Sequence, residues 1–112
     1  MASGEDLRKI ALALPSAEER ETWGRATFRV RDKIFAMMSD DGSGASVKAT
    51  KDEQSALIAE DPETFRFPAY VGRHGWVGVD VERIGLDHLR ELVTEAWRMT
   101  APKRVVRAFD AE

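Results

Sequence analysis

The chain has no cysteine, which excludes a disulfide framework, an iron–sulfur cluster and any thiolate zinc site. Histidine is almost as scarce: His74 and His88 are the only two, and no H-x-x-x-H spacing exists to hold a metal on a helix face. No metal and no cofactor are therefore expected. Long hydrophobic runs are also missing. The longest apolar stretch of the N-terminal segment, Ile10 to Leu14, is shorter than a signal-peptide core, and nothing approaches the roughly 20 apolar residues of a membrane span. The expectation is a cytoplasmic protein with no membrane partner. Catalytic patterns are absent as well. Gly42-Ser43-Gly44 lacks the following glycine and lysine of a nucleotide loop. No G-x-S-x-G occurs, and Ser39, Ser43, Ser46 and Ser55 stand without an oriented base. No catalytic residue is assigned, and the chain is read as a non-enzyme.

What is present is an ordinary globular composition, 43% hydrophobic and 33% charged over 112 residues. That size suits one domain that folds without staples, and without repeats or linkers residues 1–112 are read as a single unit. Ser3 and Asp6 form a capping box ahead of Leu7, Ile10, Ala11 and Leu14, one apolar stripe of a helix that Pro15 ends. Glu18–Glu21 reads as an acidic turn. The period then changes from helical to alternating. Thr27–Arg31 and Ile34–Met38 predict two strands of a hairpin around Asp32-Lys33, and Ser46–Ala49 a third strand. Thr50 and Glu53 open a short helix to Asp61-Pro62. Thr64–Phe67 is extended, Gly72–Gly75 turns, and Trp76–Val81 alternates cleanly. A helix over Leu86–Met99 follows, with a short terminal turn over Lys103–Phe109 after Pro102.

These elements predict a two-layer α+β fold, an antiparallel sheet with helices packed on one face. Phe28, Val30, Val77, Val79 and Val81 would face the helices. Thr27, Arg29, Arg31, Lys48, Trp76 and Asp80 would form the opposite, basic face. The net charge is −3, yet residues 20–51 carry seven Lys/Arg against four acids, while residues 52–64 carry five acids and no base. Such asymmetry can leave one basic face on an acidic protein.

Two functional classes follow. Phosphates require cations and unpaired bases favour aromatic platforms, so Arg25, Arg29, Arg31, Lys33, Lys48, Arg73 and His74, with Trp76 nearby, are candidates for nucleic-acid binding. Alternatively, a cleft around Lys48, Tyr70, Arg73, His74 and Trp76, with Trp23 a further aromatic, would hold a small molecule or a protein partner. A duller reading makes Trp23, Tyr70 and Trp76 packing residues that serve folding alone.

Several segments, in order along almost the whole chain, resemble the MmcQ/YjbR family of small bacterial proteins. They are Leu14-Pro15, Glu21-Thr22-Trp23-Gly24, Thr27-Phe28-Arg29-Val30, Lys33-Ile34-Phe35-Ala36, Ser46-Val47-Lys48-Ala49, the run from Phe67 to Val79, Glu95-Ala96-Trp97 and Ala101-Pro102-Lys103-Arg104. The resemblance implies a frataxin-like (CyaY-like) fold and a DNA-binding module with a "double wing" of hairpins. Its first wing would be Phe28–Met38, with Arg29, Arg31 and Lys33. Its second would be Gly72–Gly75, with Arg73 and His74. The acidic helix and edge that bind iron on frataxin-like folds have no counterpart in the first helix, where Glu5 and Asp6 are offset by Arg8 and Lys9.

Overall fold

A computed structural model describes residues 2–111. The capping box forms as the spacing predicts. The Ser3 hydroxyl accepts from the Asp6 amide, and the Asp6 carboxylate accepts from the Ser3 amide, opening helix α1 over Gly4–Leu12. The chain then enters six strands: β1 (Ala17–Thr22), β2 (Arg25–Val30), β3 (Lys33–Met38), β4 (Gly44–Val47), β5 (Phe65–Arg66) and β6 (Val77–Asp80). Helix α2 (Lys51–Glu60) lies between β4 and β5. Helices α3 (Leu86–Thr100) and α4 (Lys103–Asp110) follow β6.

The strands form one antiparallel sheet in the order β1-β2-β3-β4-β6-β5. Register places Phe28, Ala36, Val47 and Val77 in one row across it, with Met38, Ala45, Val79 and Phe65 in the next. All are buried, and they pack with Leu7, Ile10, Leu89, Val93 and Trp97 of α1 and α3. Between β2 and β3 the register steps, because Phe28 opposes Ala36 while Arg29 opposes Ile34. Phe35 is the extra residue of this bulge, and it is wholly buried.

Trp97 fixes the far side of the helical layer. Its indole N–H donates to Pro15 O at 3.0 Å, and its ring meets Phe109 edge-on with centroids 5.0 Å apart. Phe109 belongs to a full two-turn helix, α4, rather than to a short terminal turn. The change has a physical basis: Val105, Val106 and Phe109 share a stripe that packs against the core, and Arg98 binds Asp110 at 2.6 Å.

Two turn assignments need correction. Glu18–Glu21 is not a turn; it lies within β1, an edge strand whose polar side chains give no alternating pattern. Pairing with all of β2 defines it, and Glu19 on its helix side binds Arg8 of α1 at 2.8 Å. The β2–β3 turn is Arg31-Asp32, both at positive φ (53° and 68°), and Lys33 already belongs to β3. Two consecutive positive φ values are the signature of the primed two-residue turn, whose twist matches that of the strands. Trp23-Gly24 makes the same kind of turn between β1 and β2 (53° and 80°).

Candidate functional site

The helix-free face is built by the alternate residues of the same strands. In strand order it carries Glu18, Arg20 and Thr22; Arg25, Thr27 and Arg29; Ile34 and Met37; Gly44 and Ser46; Gly78 and Asp80; and Arg66. Lys48 and Trp76 continue β4 and β6 on this side by alternation. Ile34, Met37 and Trp76 are half-buried but stand outside the hydrophobic core cluster. Five cations (Arg20, Arg25, Arg29, Lys48, Arg66) face two carboxylates (Glu18, Asp80), so this surface is basic on a protein whose net charge is −3.

The cations differ in what holds them. Arg20 is spent on Asp32 (2.9 Å) and Glu18 (2.7 Å), and the hydrogen bond to Asp32 raises its pKa above the ordinary arginine value. Arg25 comes only within 3.9 Å of Asp40. Arg29 is fastened by neutral groups: it donates to the Thr27 hydroxyl (3.2 Å), the Thr22 hydroxyl (2.9 Å) and Asp32 O (3.2 Å). Its position is therefore set while its charge stays uncompensated by any carboxylate in contact. Thr27 is the correction here. It is 1% exposed, beneath that guanidinium, with its hydroxyl donating to Arg20 O, so it supports the face instead of presenting on it. Arg31 also leaves the face, because it sits in the turn.

Arg66 was not among the residues singled out from the sequence, yet it lies flat across the sheet. A Cβ on Gly78 would fall 2.7 Å from Arg66 Cγ, and one on Gly44 would fall 3.3 Å from Arg66 Nη2. The two glycines clear a track for this side chain from β5 over β6 to β4. The sequence signal was present in Gly44 and Gly78, glycines inside strand patterns, which mark a close approach.

One end of the sheet gathers more of the predicted residues. The β2–β3 turn with Arg31, the start of β3 with Lys33, the C-terminal end of β4 with Lys48, and the loop leading into β6 all lie there, as the antiparallel order requires. The loop contains a single 3₁₀ turn, Gly72–His74, closed by Gly75 at φ 98°. Gly75 cannot carry a side chain, since a Cβ would sit 2.7 Å from Ala49 O. Gln54 of α2, 6% exposed, donates from its amide to Gly72 O (2.8 Å) and to Trp76 O, tying the loop to the helix. Sequence reading missed Gln54; its only signal is a polar residue at a buried helix position.

Arg73 and His74 are exposed and touch one another, Arg73 Nε to His74 Nε2 at 3.3 Å. Tyr70 is 92% exposed with φ 64°, and Phe67 is 62% exposed. Trp23 is 97% exposed but belongs to the β1–β2 turn at the opposite end of the sheet. Trp23, Tyr70 and Trp76 therefore do not share one cleft, and neither Trp23 nor Tyr70 is a packing residue. Surface depressions of about 420 and 430 Å³ occur at Arg90–Arg98 of α3 and between Ala2–Arg8 and Asp40–Gly42. Neither includes any residue of the proposed cleft. Among the described residues no group of three or more His, Cys, Asp or Glu is arranged to hold a metal, and no helix is long and apolar enough to cross a membrane.

Comparison with known proteins agrees with this architecture. The chain is 29% identical over 124 aligned positions to the uncharacterized proteins Mb2600 of Mycobacterium bovis and Rv2570 of Mycobacterium tuberculosis, covering 97% of this chain and 96% of each relative. The crystal structure of Deinococcus radiodurans protein DR2400, a DUF419-domain protein, superposes with a TM-score of 0.77 at 20% identity, over 88% of this chain and 78% of that one. The YjbR family model matches residues 12–99. With most of its length inside that match, the chain belongs to the YjbR family.

Proposed function

We propose that the chain binds nucleic acid through its helix-free sheet face, holding phosphates rather than reading base edges. The observation that carries this is the charge of that face, five cations against two carboxylates, with Arg29 held in place by neutral partners. A guanidinium already fixed by hydroxyls loses little side-chain freedom when a phosphate arrives, which lowers the cost of binding. Arg31 on one projection and Arg73 on another extend the basic surface at one end of the sheet, whereas Lys33, paired with the buried Val30, lies on the helix side. The two projections are separated by the width of β4, about 10 Å at ordinary strand spacing. Six exposed acids lie away from this surface, Asp52, Glu53 and Glu60 on α2 and Asp87, Glu91 and Glu95 on α3. The surface proposed here offers strands and loops, not a helix, to a major groove. Binding is therefore expected to be insensitive to sequence.

The test is fluorescence anisotropy of labelled DNA across a salt series, using wild type and the Lys48→Ala/Arg66→Ala double variant. Each phosphate contact contributes roughly 0.9 to the slope of log affinity against log salt, so the double variant should lose about 2 from that slope. An unchanged slope, or no binding even at low salt, refutes the proposal.

A further inference from the structure

We infer that the ligand of this face is single-stranded, with unpaired bases stacking on the aromatic side chains of the loop between β5 and β6. The inference rests on the nucleic-acid reading above and adds the form of the substrate. Cations and aromatics interleave along this stretch as Arg66, Phe67, Tyr70, Arg73 and Trp76. A single strand needs that alternation, with positive charge for its phosphates and π-faces for its bases. A duplex keeps its bases stacked inside and has no use for exposed rings.

Tyr70 carries most of the argument. Its backbone lies at φ 64°, a conformation that bulky L-residues adopt only at a cost. Its side chain is 92% exposed, so packing does not offset that cost. Trp23 takes its positive φ from the two-residue turn between β1 and β2, but no hairpin imposes one on Tyr70. A strained, solvent-facing aromatic there points to a use outside folding. The loop is also rigid. Pro68 O accepts from the Gly72 amide, Val71 O from His74 and Gly72 O from Gly75, while Gln54 clamps Gly72 and Trp76 from α2. The Phe67 ring lies against Gly72, where a Cβ would come within 2.5 Å of it. The loop backbone and the Phe67 ring are thus held in place before a ligand arrives, which reduces the ordering that binding must bring about. Trp76 and Lys48 extend the same surface onto the sheet face.

The experiment compares anisotropy of labelled oligo-dT and oligo-U with a mixed-sequence duplex of equal length, for wild type, Tyr70→Ala and Tyr70→Phe. Wild type should bind a single strand more tightly than the duplex. Whichever of the two homopolymers binds more tightly identifies DNA or RNA as the source. Tyr70→Ala should weaken single-strand binding by roughly 5- to 150-fold, the loss of about one stacked base, and Tyr70→Phe should retain it. Equal or tighter duplex binding, or a Tyr70→Ala variant that binds single strands like wild type, overturns the inference. If salt-dependent binding then persists and still weakens in the Lys48/Arg66 variant, the nucleic-acid reading survives alone. Absence of binding to all three probes overturns both.

Discussion

Replacing Gln54 by Ala tests whether one buried amide holds the β5–β6 loop in place. In the native chain the Gln54 amide serves two carbonyls, Gly72 O at 2.8 Å and Trp76 O. The two losses are unequal. Gly72 O keeps the Gly75 amide as a donor at 3.0 Å, so its share is that of one ordinary bond, about 0.5–1.5 kcal/mol. Trp76 O loses its side-chain donor at a half-buried site, which costs about 1–3 kcal/mol. Ala is at least as good a helix former as Gln, so α2 itself contributes no penalty. The expected destabilisation is therefore about 1.5–4.5 kcal/mol, a large part of the roughly 5–15 kcal/mol typical of a domain. Urea denaturation should show a lower midpoint at unchanged m-value. Hydrogen exchange should accelerate at the amides of Gly72, His74 and Gly75 before the rest of the sheet responds. A loss below about 1 kcal/mol with loop exchange unchanged would mean that the turn holds itself and that Gln54 is not its anchor.

Two further outcomes are expected. Trp23→Asn should raise stability by about 1 kcal/mol, read as a higher urea midpoint, because it creates the favoured Asn-Gly pair at a positive-φ turn and removes a ring that is 97% exposed; a lower midpoint would show that the indole packs in solution. Asp41 accepts from the Ser43 amide and hydroxyl and from the Ser39 hydroxyl, which lowers its pKa from 3.8 to about 2. A carboxylate depressed in the folded state contributes stability that is present above its unfolded value and lost as pH falls through the folded one. The melting temperatures of wild type and Asp41→Asn should therefore converge as pH drops from 3.8 towards 2, and a constant gap would refute the assignment.

The candidate site was legible in part. Arg29, Lys48, Arg73 and Trp76 stood out because cations and a ring at alternating or turn positions carry a recognisable chemistry. Arg66 did not, because its role comes from lying across two other strands over Gly44 and Gly78, a relation between positions 12 and 22 residues away. Gln54 was equally silent, since its partners Gly72 and Trp76 lie 18 and 22 residues downstream. Trp23 and Tyr70 looked alike in composition, and only the strand order shows that they sit at opposite ends of the sheet.

Local chemistry settled much of this protein from sequence alone. Caps at Ser3 and Thr50, the helical stripe Leu7, Ile10 and Ala11 and the alternation Val77–Val79 are interactions within a few residues, so the chain spells them directly. The absence of cysteine settled that nothing covalent staples the fold. Tertiary structure decided the rest. β1 is a strand because β2 pairs with it, not because its acidic residues favour one. α4 extends to Asp110 because Trp97 and Arg98 receive it. The basic face exists because antiparallel pairing brings Arg29, Lys48 and Arg66, scattered over 38 positions, onto one side of one sheet. Charge adds up over space, and spatial neighbours are set by strand order and register, which no local pattern contains.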